Sequence, residues 1–308
     1  MSFELRPLSL GELLDRSFTF YRRHFSTFVG IMAAPSVMVL LVSVDREMMS
    51  ALARHNLQNG DIGWVLAGSG LLIVLSIGYF VVYMAALGAT TLAVSDLYRD
   101  RPITIAGSYA QMRGQIGSLV VLMLLTGLRV GGVAVAMLAG IGITAGLLRT
   151  APLFAGSVIA LIAIAGGAVF VFLMLRYALS VPALTLESVT PSEALGRSVD
   201  LTRNNLWRVF VLCLFSVVIT YVSILIFQAP LITAAVIAGP ESPAAFWLNL
   251  AGALTGAIAS AISGPIMIIA LAVLYYDVRI RHEGLDLEIM MDKLGSAPAA
   301  APSGVYPA

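Results

Sequence analysis

Six apolar runs dominate the chain, at residues 26–44, 63–95, 117–147, 155–180, 207–229 and 246–276, with short polar segments between them. A membrane-spanning helix needs about 20 mostly apolar residues, a length each run reaches or exceeds. The runs are continuous, whereas the strands of a membrane barrel alternate apolar and polar positions. The pattern therefore predicts an all-α fold, a polytopic transmembrane bundle of six spans. Pro35 and the Gly264-Pro265 pair are the expected kink points, because proline removes a rung of the helical hydrogen-bond ladder.

Composition strengthens this reading. The 308 residues are 59% hydrophobic and 11% charged, with mean hydropathy +0.94. A soluble domain has about 25% charged residues. The net charge of +1 and the absence of long like-charge runs give no footing for a nucleic-acid partner. The single cysteine, Cys213, sits inside an apolar run and excludes an intramolecular disulfide or a cysteine-based metal site. The first 25 residues carry Glu4, Glu12 and Asp15 among their arginines, which does not fit a cleavable signal peptide. The first run is expected to remain as an anchor.

Orientation follows from the basic residues between the runs. Arg6, Arg16, Arg22, Arg23, Arg99, Arg101, Arg113, Arg197, Arg203, Arg208, Arg279, Arg281 and Lys293 all fall on one set of alternating segments. The other set holds only Arg46, Arg54 and Arg149. A multi-pass protein of the bacterial cytoplasmic (inner) membrane, with both termini cytoplasmic, is expected. The charges in "LYYDVRIRHEGLDLE" (Leu274–Glu288) then mark the cytoplasmic exit of the last span.

A shift of 181 residues superposes Glu12 on Glu193, Arg16-Ser17 on Arg197-Ser198, Arg22 on Arg203 and Asp96 on Asp277. Such an offset, in a chain poor in charges, indicates an internal repeat. A single transmembrane domain over 1–292 is expected, built from tandem units at about 9–101, 102–189 and 190–282, each an interfacial helix plus two spans. The middle unit matches less well, since Thr104 is not followed by a glutamate three positions on. The Pro/Ala/Gly/Ser-rich tail, 293–308, is expected to be disordered. "SLGE" (Ser9–Glu12) and "TPSE" (Thr190–Glu193) fit capping boxes, with Pro191 at the favoured first-turn position. Glu12 and Glu193 are thus read as helix caps rather than as catalytic carboxylates.

After the first cap, Leu10, Leu13, Leu14, Ser17, Phe18, Tyr21 and Phe25 share one helical face, and Glu12, Asp15, Arg16, Thr19, Arg22 and Arg23 the other. That arrangement suits a helix lying in the interface of a bilayer with anionic head groups. It equally suits a helix packed against the ends of the bundle.

Catalytic chemistry finds little support. The histidines His24, His55 and His282 lie far apart, and no zinc-protease, phosphate-loop, nucleophile-elbow or dinucleotide pattern occurs. No catalytic, cofactor-binding or metal residue is assigned. Two arginines interrupt apolar runs, Arg129 in "LLTGLRVGGVAV" and Arg176 in "FLMLRYALSV". A charge at the bilayer centre costs about 2.5–3.5 kcal/mol on insertion scales, which makes both candidates for function. Arg176 stands near a span end, where it can snorkel. Arg129 stands deeper and needs carbonyls, hydroxyls, water or a ligand anion. If the units share an axis, Arg176 is expected to pair with Asp96 or Asp277 at the rim. Small residues at Gly132, Ala136, Gly140 and Thr144, and at Gly252, Gly256, Ser260 and Gly264, form ridges suited to close helix packing.

"LRPLSLGELLDRSFTFYRRHF" (Leu5–Phe25), the six spans and the closing "LYYDVRIRHEGLDLE" together resemble the membrane domain fused to some bacterial glycerophosphoryl diester phosphodiesterases. The same domain also occurs as stand-alone bacterial membrane proteins. The resemblance covers about residues 5–292. It implies an architecture and a connection with lipid or envelope metabolism. The sequence lacks the phosphodiesterase domain, so none of that enzyme's catalytic residues carries over. The expected function is a non-catalytic scaffold or regulatory module, with a cytoplasmic or membrane protein as partner. The alternative is a transporter or permease for an anionic or amphiphilic small molecule.

Overall fold

The computed structural model describes residues 7–58, 63–187, 189–239 and 242–284. The expected disordered tail at 293–308 lies outside the described residues. Among those described there are helices and no strands. In order they are α1 (Leu10–Arg23), α2 (Phe25–Gln58), α3 (Gly63–Tyr98), α4 (Ile105–Met112), α5 (Ile116–Leu147), α6 (Pro152–Arg176), α7 (Ser180–Glu187), α8 (Pro191–Thr202), α9 (Leu206–Ala238) and α10 (Pro243–Glu283). Six stretches are long and apolar enough to cross a membrane, within α2, α3, α5, α9 and α10 and from α6 through α7. Each falls on one of the six apolar runs.

Three times a short helix precedes two long ones: α1 before α2 and α3, α4 before α5 and α6, α8 before α9 and α10. The short helix α7 breaks the pattern. The sixth apolar run is the longest helix, 41 residues in α10. At a rise of about 1.5 Å per residue it extends about 61 Å, twice the roughly 30 Å of a hydrocarbon core.

That surplus length explains two zones in the bundle. From Ala261 to Ile280 no residue of α10 is exposed, and the same holds for α3 from Val82 to Tyr98. Here the two helices form the core, wrapped by the short helices and the adjoining ends of the spans. The core packs Leu13, Phe20, Phe28, Ile31, Met112, Leu119, Leu195 and Leu212 around Tyr275 and its neighbours. In the other zone, α3 shows Leu71, Ile73, Val74 and Ile77 on its surface, and α5, α6 and α9 are apolar outside along most of their length. Exposed apolar side chains in such density suit a lipid solvent, because lipid tails do not penalise them as water does.

The two prolines inside the first and last spans find different local solutions. Pro35 lies within α2 and Pro265 within α10, each in an uninterrupted helix. Proline has no N–H, so the carbonyl four residues before it loses its donor. For Pro35 that carbonyl belongs to Ile31, and the Tyr109 hydroxyl of α4 donates to it at 2.7 Å. Gly30 leaves room for Ile105 of α4, whose Cδ1 would have to shift if a Cβ were added there. Tyr21 of α1 donates in the same manner to Ile262 O at 2.7 Å, one residue from the carbonyl that Pro265 leaves unmatched. Burial pushes both phenols up to about 12, so they remain neutral donors.

Candidate functional site

Most of the titratable residues that make side-chain contacts gather at one end of the bundle, around the last turns of α10. Asp277 sits at its centre with 1% of its surface exposed. Its Oδ1 accepts the Leu8 backbone N–H at 2.6 Å. Its Oδ2 accepts Arg208 Nη1 at 2.6 Å and Arg281 Nε at 2.9 Å. Both guanidiniums also donate to the Leu8 carbonyl, from Arg208 Nη2 at 2.7 Å and Arg281 Nη2 at 2.5 Å. One carboxylate and two forks thus hold both backbone polar groups of a single residue, Leu8. A buried carboxylate stays charged at moderate cost only when its lone pairs are met this fully. The arrangement pins the segment before α1 to α9 and α10.

A second cluster ties α7 and α8 to α10. Arg197 Nε donates to Glu187 Oε1 and Oε2 at 3.1 and 3.0 Å, and its Nη2 pairs with Glu283 Oε1. Arg279 Nε donates to Glu283 Oε2 at 2.8 Å and lies 3.7 Å from Glu187 Oε1. Tyr275 donates to Glu187 Oε1 at 2.5 Å. Two acids and two bases alternate, which suits mutual neutralisation more than proton transfer. Beside them the Tyr276 hydroxyl donates to Ser95 Oγ at 2.8 Å, and the Tyr276 and Tyr98 rings stack with centroids 4.4 Å apart. These contacts join the ends of α3 and α10.

The residues singled out in the sequence take up unequal roles. Ser9 Oγ accepts the Glu12 N–H at 3.3 Å while Glu12 Oε2 accepts the Ser9 N–H at 2.7 Å. Thr190 and Glu193 repeat the exchange at 3.4 and 2.9 Å. The backbone N–H of Thr190, then its hydroxyl, hold Glu193 below the ordinary carboxylate value. Asp96 accepts Gln111 Nε2 at 3.0 Å, linking α3 to α4.

The expected pairing of Arg176 with Asp96 or Asp277 requires correction. Arg176 Nη1 donates instead to the Val199 carbonyl at 2.8 Å, and the guanidinium lies 5.3 Å from the Phe172 ring centroid. Its own carbonyl accepts Ser198 Oγ at 2.7 Å. The reason is α7: α6 ends against α8, short of the acidic cluster, and α7 carries the chain onward to Glu187. Arg208 and Arg281 occupy Asp277 in its place. Glu187 was missed because it lies eleven positions after Arg176, past the hidden turn at Tyr177–Leu179. Arg281 was legible as the i+4 partner of Asp277. No local signal pointed to Arg208.

Arg129 lies on the exposed side of α5, and its Nη1 stands 3.5 Å from the Tyr177 hydroxyl, a long and weak contact. Its guanidinium is 5.8 Å from the Tyr177 ring centroid. On the ridges, a Cβ added at Gly256 would collide with the Gln228 side chain, and one at Gly264 or Gly140 would lie 3.5 Å from Met32 or Ile162, while Gly132 and Gly252 face open space. Among the described residues no group of three or more His, Cys, Asp and Glu is placed to hold a metal ion.

These features define a multi-pass, all-helical membrane protein with most of its ionic contacts, among the described residues, at one end. Residues 150–292 match the family described as the membrane domain of glycerophosphoryl diester phosphodiesterase. The match covers α6 to α10, with Asp277, Arg208, Arg281 and the Glu187 cluster but not Leu8, and it concerns a membrane domain and not a catalytic one. The N-terminal motif at Leu5–Phe25 lies outside it. No curated protein and no solved structure matched the chain.

Proposed function

We propose that the protein is a non-catalytic module of the bacterial cytoplasmic membrane, which scaffolds or regulates a partner protein at its cytoplasmic face in lipid or envelope metabolism. The observation that carries this reading is the closure of the charged end. Asp277, Glu187 and Glu283 are each engaged by two arginines, which suits a rigid platform better than a reaction centre. Both termini are taken as cytoplasmic from the arginine distribution. The exposed Arg22 and Arg23 of α1 offer a basic edge to anionic head groups or to an acidic partner surface. A repeat relating the first and third of the expected units would suit such a platform. Positions 181 apart are buried alike, as in Leu13 and Ala194, Phe20 and Leu201, Phe28 and Val209, and Ile31 and Leu212.

Photocrosslinking in cells tests this proposal. A photoreactive residue at Arg22 or Arg23 is expected to trap one reproducible protein partner, and one at Leu147, on the far end of α5, is expected to trap none. Loss of the adduct on substituting the partner's contact surface would complete the argument. The second reading, a permease for an anionic amphiphile, is favoured by Arg129 alone. Saturable flux of such a solute into proteoliposomes, abolished in Arg129→Gln, would replace the first reading with the second.

A further inference from the structure

Arg129 and Arg176 are 47 positions apart in sequence, yet the fold brings Arg129 against Tyr177, the residue that follows Arg176. Both arginines stand on the α5–α6 pair in an apolar surface. Leu124, Leu128 and Val135 are exposed on α5, and Phe172 and Met174 on α6. Leu128, next to Arg129, is 75% exposed. The four arginines of the charged end each reach a carboxylate, but neither Arg129 nor Arg176 has one within ion-pair distance among the described residues. Arg176 donates to the Val199 carbonyl, and Arg129 approaches only the distant Tyr177 hydroxyl among the described residues. Each guanidinium carries five N–H donors; Arg129 is exposed and Arg176 half-buried, so both have donors left for a ligand beside this apolar surface.

We propose that Arg129, Arg176 and the Tyr177 hydroxyl form a binding site for the phosphate of an anionic phospholipid head group. Two guanidinium forks and a phenol match the several acceptor oxygens and single negative charge of a phosphodiester, which arginine binds through paired N–H donors. The apolar side chains around the site suit the acyl chains of the same molecule. The Phe172 ring centroid lies 5.3 Å from the Arg176 guanidinium, whose Nη1 is held by the Val199 carbonyl, which limits the orientations of that fork. The site is independent of the platform role, and a platform without it would still fold and bind a protein partner.

The test is equilibrium binding of fluorescent phosphatidylglycerol to the full-length protein in detergent micelles, with competition by unlabelled phosphatidylglycerol, phosphatidylcholine and inorganic phosphate. Phosphatidylglycerol is expected to compete, with the other two at least about tenfold weaker. Arg129→Gln and Arg176→Gln are each expected to lower affinity about tenfold, the scale of one charge-assisted contact. Arg149→Gln, outside the site, is expected to leave affinity unchanged. Arg129→Lys keeps the charge without the fork and is expected to fall between; it carries the test if Arg129→Gln does not accumulate. Unchanged affinity in Arg176→Gln together with either Arg129 variant overturns the site. Equal competition by phosphatidylcholine overturns its preference for an anion, and equal competition by inorganic phosphate overturns the lipid as its source.

Discussion

Removing the Tyr109 hydroxyl isolates one hydrogen bond whose partner is known and whose need has a single cause. Ile31 is fully buried, and its carbonyl has no donor in its own helix because Pro35 occupies the i+4 position. The Tyr109 hydroxyl fills that place at 2.7 Å. In Tyr109→Phe the carbonyl is stranded away from water. An orphaned buried acceptor costs about 1–3 kcal/mol. Interhelical hydrogen bonds inside membranes average about 0.6 kcal/mol, since competing partners exist in the unfolded state. A loss of about 1–2 kcal/mol is therefore expected for the single variant. Pro35→Ala restores a backbone N–H at the i+4 position, and in that background the hydroxyl becomes dispensable. The double variant Pro35→Ala/Tyr109→Phe should thus be more stable than the sum of the single effects by about 1 kcal/mol. The four proteins of the cycle are compared by reversible denaturant unfolding in detergent micelles. Additive effects, with Tyr109→Phe costing the same in both backgrounds, would refute the assignment of the hydroxyl to the proline gap.

Asp277→Ala leaves Arg208 and Arg281 facing each other across the Leu8 carbonyl. Breaking a buried pair costs about 3–5 kcal/mol. Arg281 is 35% exposed and water offsets part of its loss, which places the expected destabilisation near the lower figure. The same unfolding measurement should find Arg208→Met/Asp277→Ala less damaged than the sum of its parts, and additivity would contradict the cluster. Glu193 has a folded pKa below its ordinary value of 4.5, so the unfolded chain takes up the proton first. The cap's contribution to α8 is then full above about pH 4.5 and fades as pH falls through the lower folded value. Acid melts of Glu193→Gln should be flatter than wild type across that window, and identical slopes would refute it. Reporter fusions after Lys293 should be active only with a cytoplasmic reporter, and fusions near Gln58 only with an extracytoplasmic one. The reverse pattern would overturn the arginine-based topology.

The sequence by itself determined what depends on neighbours within a few turns. The six spans were legible because solvation of a helix by lipid is a property of about 20 consecutive residues. The capping boxes were legible because Ser9 with Glu12, and Thr190 with Glu193, meet across three positions of one backbone. The end motifs also carried the likeness to a membrane domain, which residues 150–292 match. Tertiary structure decided the partners of the charges. Leu8 meets Asp277 across 269 positions, Arg208 meets it across 69, and Tyr109 reaches Ile31 across 78. Periodicity cannot set such distances, because they follow from which helix ends pack together and at what level. The hidden turn before α7 moved the end of α6 onto α8, and with it Arg176 away from the acids assigned to it. A guanidinium bonds with whatever acceptor the packed helices place within reach, and for Arg176 that was a carbonyl of α8.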